Sequence, residues 1–113
     1  MKREERWKAF AEAHEAVKAA MAQLDTAPSR QTRDGAREAD RVYQLCLAKV
    51  IGLQPVMRYG RQVQAYLEGV DRDAESAEIT FLRGALKIAA AEVEAAVERA
   101  RARDNEPDEK GGA

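Results

Sequence analysis

At 113 residues the chain is long enough for one hydrophobic core and too short for two. Charged residues make up 35% of it and aromatic residues 5%, which favours helices, because the β-branched and aromatic residues that pack a sheet are scarce. A formal net charge of −1 excludes a global field toward nucleic acid or an anionic membrane, and a single cysteine excludes an internal disulfide and a cysteine zinc cluster.

The segment Met1-Lys2-Arg3-Glu4-Glu5-Arg6 is followed by no apolar run, so no signal peptide is expected. No stretch reaches the roughly 18 consecutive apolar residues of a bilayer span, so no membrane partner is expected. The lone Cys46 suits a reducing, cytoplasmic setting.

A first helix is predicted over residues 3 to 24, where Trp7, Phe10, His14, Val17, Met21 and Leu24 alternate in steps of three and four. Lys8, Glu12, Glu15 and Lys18 form its solvated face, and Pro28 ends it by disfavouring helical geometry in the residue before. Ser29 is the expected N-cap of a second helix over 30 to 53. That helix carries one apolar stripe of Ala39, Val42, Tyr43, Cys46, Val50 and Leu53, and beside it Leu45, Ala48 and Ile51, more than one core face needs.

Gly52 and Pro55 interrupt the pattern, so the chain is expected to kink or break there. A third helix over 55 to 70 carries Val56, Tyr59, Val63, Tyr66, Leu67 and Val70. After a turn at Val70-Asp71-Arg72-Asp73, a last helix over 74 to 103 carries Ile79, Leu82, Leu86, Ala89, Val93, Val97 and Ala100, with Phe81, Ala85 and Ile88 alongside. At 1.5 Å per residue that helix is roughly 45 Å long against about 33 Å for the first, so it is expected to project from the bundle or pack on another subunit. The fold class is therefore all-α: an up-down bundle of three long helices and one short or proline-kinked one, in a single domain of residues 1–103. The polar tail 104–113, with Pro107, Gly111 and Gly112, is expected to be disordered.

His14 is the only histidine, and Ala11 stands where a di-iron bundle places a glutamate, so a half-buried seam histidine is expected. Cys46, among Leu45, Leu47 and Val50, is expected to act as a small buried hydrophobe. Carboxylates lie on helix faces, and no phosphate loop, nucleophile elbow or dinucleotide fingerprint occurs. The expectation is a chain that is not an enzyme and takes no cofactor or metal.

Arg30, Arg33, Arg37 and Arg41 line one face of the second helix, and Arg58-Tyr59-Gly60-Arg61 places an aromatic between two further arginines. Glu75 and Glu78 are candidate intramolecular partners for the stripe; a phosphate backbone or an acidic protein is the other. Residues Gln44 to Leu53, with Ala48, Gly52 and Leu53 at the matching positions, resemble the first half of a repressor-type helix-turn-helix. The match stops at Arg58, where that pattern carries an apolar residue. The surplus apolar surface points to a non-enzymatic protein–protein interaction module, homo-oligomeric and adaptor-like, with Leu45, Ile51, Val56, Phe81 and Ile88 as the interface. The alternative is a nucleic-acid accessory protein that uses Arg30, Arg33, Arg37, Arg41, Arg58 and Arg61.

Overall fold

The computed structural model describes residues 2–105, and these form four helices and no strand. They are α1 (Arg3–Thr26), α2 (Arg30–Ile51), α3 (Leu53–Asp71) and α4 (Ser76–Asn105). Each runs antiparallel to the one before it, giving an elongated up-down bundle of 59 × 23 × 19 Å.

Local chemistry explains where the helices start and stop. Glu4 and Glu5 sit in the first turn of α1, where negative charge suits the helix dipole. Ser29 and Thr32 open α2 as a reciprocal cap: Ser29 Oγ accepts from the Thr32 amide at 3.1 Å, and Thr32 Oγ1 accepts from the Ser29 amide at 2.8 Å. The α2–α3 junction is a clean break at Gly52, whose φ of 87° and ψ of 170° suit only glycine. Pro55 then falls in the first turn of α3, where its missing amide has no helical acceptor to lose. The break moves Leu53 out of the α2 stripe and into α3, where it is 63% exposed instead of closing that stripe.

The core draws on all four helices: Phe10, Val17 and Leu24 from α1, Tyr43 and Leu47 from α2, Val56, Val63 and Leu67 from α3, and Val93 and Val97 from α4. A run of aromatic contacts, Trp7 to Phe10 to His14 to Tyr43 to Tyr59, ties the first three. Gly69 lets α3 close on α4, since a Cβ there would lie 2.7 Å from Leu82 Cδ1.

The expected overhang of the last helix is not found. Its first turns lie against the end of α3, at Gly69, and its last turns reach the start of α1. There Trp7 Nε1 donates to Asp104 Oδ2 at 2.8 Å, Arg3 donates to the Asp104 carbonyl at 2.9 Å, and the Arg101 guanidinium sits 4.7 Å over the Trp7 ring. These ties also correct the expected disorder of Asp104, which with Asn105 continues the helix. The rest of that expected tail, 106–113, lies outside the described residues. No helix among the described residues is long and apolar enough to cross a membrane.

Candidate docking site

Between α2 and α3 runs a groove of about 650 Å³. Leu45 and Ala48 wall it on one side and Leu53 and Met57 on the other, with Val56 beneath and Arg41 and Arg61 at its edges. A polar cluster from α2 and α3 stands among its apolar lining. Asp40, only 5% exposed, accepts from Tyr59 Oη at 3.0 Å and from Gln44 Nε2 at 2.5 Å. The Gln44 carboxamide lies over Gly60, where a Cβ would stand 2.7 Å from its Oε1, so α3 offers no side chain at that point to fill the space. Burial pushes the Asp40 carboxyl above the usual range, and the bonds from Gln44 and Tyr59 pull it back in part.

Leu45, Leu53 and Met57 are each more than half exposed, and across α3 so are Phe81 and Ile88. Arg61 borders both the groove and the depression that Ile88 lines between α3 and α4. The exposed apolar side chains therefore flank one helix and form one face. The outer side of α1, with Lys8, Glu12, Glu15 and Lys18, is charged and exposed.

Of the five residues expected at an interface, Leu45, Phe81 and Ile88 are exposed on this face. Ile51 is half-buried against the core. Val56 is a correction: at 3% exposed it belongs to the core, because it shares the inward stripe of α3 with Tyr59 and Val63. Leu53 and Met57 were missed: the α2 stripe was carried one residue past Gly52 to Leu53, and Met57 lies off the Val56–Tyr59–Val63 stripe of the third helix. The signal was Gly52 itself, a C-terminal stop just past the last periodic residue of α2.

The arginine stripe is largely engaged within the chain. Arg33 Nε lies 2.9 Å from Asp71 Oδ1, Arg37 pairs with Asp71 Oδ2, and Arg41 pairs with Glu38 at 2.6 Å. The acid is thus Asp71 at the end of α3, not Glu75 or Glu78; Glu78 is taken by Arg72. Arg30, Arg58 and Arg61 are exposed and form no ion pair among the described residues. α2 and α3 are tied at Asp40–Tyr59 and again at Arg37–Asp71.

His14 is half-buried, its ring 5.3 Å from that of Tyr43 and inclined by 16°. Burial lowers its pKa, with Lys18 reinforcing, so it is neutral at physiological pH. Cys46 is a free, half-buried thiol packed against the core. Among the described residues no group of three or more His, Cys, Asp or Glu is placed to hold a metal. Comparison with protein-family models, with curated proteins and with solved structures finds no match for this chain.

Proposed function

We propose that the protein is a non-enzymatic docking module whose α3-centred face receives an amphipathic helix from a partner chain. What carries this reading is the α2–α3 groove, walled by Leu45, Leu53 and Met57, each more than half exposed beside an otherwise complete core. A helix laid in such a groove buries apolar residues spaced three and four apart. Arg58 and Arg61, free of ion pairs among the described residues, favour acidic residues along that helix's flanks. A second copy of the chain is the other occupant with something in its favour, because the Phe81–Ile88 ridge and the groove lie on the same face. Nucleic acid has less to hold, since Arg33, Arg37 and Arg41 already face carboxylates.

A photo-crosslinking residue at Met57, with another at Ala19 on the outer side of α1 as control, tests the proposal in the source cells. The expected outcome is a discrete protein adduct from Met57 only, lost when Leu45 and Leu53 become Glu. Adducts equal at both positions, or none, would overturn it. Light scattering at high micromolar concentration separates the occupants: a dimer names a second copy, and a monomer that still crosslinks names a different chain.

A further inference from the structure

The outward side of α4 carries a second apolar seam besides the one that packs into the core. Phe81, Gly84, Ile88, Ala91 and Ala95 recur in alternating steps of four and three, and all five are exposed. Phe81 and Ile88, at 73% and 66%, are the most exposed large apolar side chains among the described residues. We propose that this seam pairs antiparallel with the same seam of a second copy, giving a two-fold dimer centred on Ile88 and Ala91 that leaves each α2–α3 groove free.

The position of the seam follows from its flanks. Leu86, Ala89, Val93 and Val97 turn α4 toward the core. Lys87 and Glu94 border the cleft toward α1, and Glu92 and Arg99 border the depression toward α3. The seam lies between these two charged rows, so it points away from the chain's own helices. A helix that packs on one core needs one apolar stripe, and the second is unused by the fold. Gly84 is unused in the same sense. Glycine inside a helix weakens it, yet a Cβ at Gly84 would meet nothing within 4 Å, so the chain's own packing gives no reason for it. A second helix lying close against that point does.

The order of bulky and small residues suits an antiparallel pair. When Ile88 stands opposite Ala91 of the second copy, Gly84 meets Ala95, and Phe81 lies over Ala95 and Ala102, beside Glu98. Bulky groups then face small ones, and the two-fold axis repeats every contact. The flanking charges favour the same register. It sets Lys87 opposite Glu94 and Arg99 opposite Glu78, each pair occurring twice. Lys87, Glu94 and Arg99 form no ion pair among the described residues, while Glu78 already holds Arg72. A slip of one heptad would set Lys87 against Lys87 in one direction and Glu94 against Glu94 in the other. A parallel pair would stack Glu98 on Glu98 and leave Gly84 facing Gly84.

Sedimentation equilibrium of the full chain across the micromolar range tests the dimer. The native chain should show a reversible monomer–dimer equilibrium. Ile88→Glu should leave a monomer, with the thermal melt of the native chain at a dilution where both are monomeric. Lys87→Glu should weaken the dimer roughly tenfold, because two attractions become two repulsions. Adding Glu94→Lys should restore affinity to within about twofold, because the pairs are exchanged and not lost. In a parallel dimer Lys87 would lie by Glu92 and Glu94 by Arg99, so the same double change would weaken association further. A native chain that stays monomeric, a dimer that Ile88→Glu leaves intact, or a double variant no tighter than Lys87→Glu alone would each overturn the proposal. So would a dimer dissolved by Leu45→Glu with Leu53→Glu but not by Ile88→Glu, which would seat the second copy in the groove. The crosslink from position 57 tests the groove separately, since a dimer held on α4 leaves its occupant undecided.

Discussion

Asp40 is held by two neutral donors, Tyr59 and Gln44, at a site from which water is nearly excluded. Its folded pKa is raised, chiefly by burial, above the ordinary 3.8. The sign follows directly. The folded chain binds this proton more tightly than the unfolded chain, so the associated stability is complete below pH 3.8 and is lost as pH rises through the folded value. Asp40→Asn keeps the shape and removes the titration. Relative to the native chain, the variant should therefore gain stability as pH rises from acid to neutral, measured by urea unfolding at both ends of the range. A constant difference across that range would mean that Asp40 titrates as an exposed acid does. Tyr59→Phe tests the same network from the other side. At neutral pH it leaves a buried carboxylate short of a donor and should cost about 1.5–3 kcal/mol. In acid, where Asp40 is protonated, the cost should shrink.

Helix by helix, stability turns on a few residues whose backbone needs are unlike those of their neighbours. Gly52 sits at a φ of 87°, and Gly52→Ala should cost about 1–3 kcal/mol, because no other residue tolerates that conformation without strain. Gly35, inside α2 with open space around its Cβ position, should respond with the opposite sign: Gly35→Ala should stabilise by about 0.5–1 kcal/mol through helix propensity. Ser29→Ala removes the cap on α2 and should cost about 1 kcal/mol. Thermal melts of the three variants check all three signs together. The same residues show what the sequence made legible. The three- and four-residue spacing from Trp7 to Leu24, and from Ile79 to Ala100, located α1 and α4 because apolar periodicity is a local property. Ser29 and Pro28 marked the first junction for the same reason. The second junction was ambiguous between Gly52 and Pro55, so the α2 stripe was carried on to Leu53, which the break at Gly52 gives to α3. Val56 was expected both on the stripe of the third helix and at the interface, and its burial decides for the stripe. The partner of Arg33 and Arg37 was not legible either, since Asp71 meets them only after α3 has folded back along α2.

Across the molecule, the length mismatch that suggested a second subunit is resolved within one chain, because α4 spans the end of α3 and the start of α1 in succession. The case for docking is thereby moved from the tip of α4 to the face around α3. It rests on apolar side chains that the fold does not use, and this separation can be measured. Leu47 is fully buried, and Leu47→Ala should cost about 2–5 kcal/mol. Leu45, two residues away, points out of the bundle, and Met57 faces it across the groove. Replacing both with Glu should change stability by no more than about 0.5 kcal/mol, the usual range for surface positions. The new carboxylates would stand beside Arg41 and Arg61, so any departure should be toward greater stability at low salt and should fade as salt is added. If the double variant instead lost stability on the scale of Leu47→Ala, the groove walls would belong to the core of the isolated chain, and the face would have nothing left over for a partner. If stability holds while Leu45→Glu and Leu53→Glu abolish the crosslink from position 57, the two roles are separate: Leu47 serves folding, and Leu45 serves a contact that the chain alone does not make.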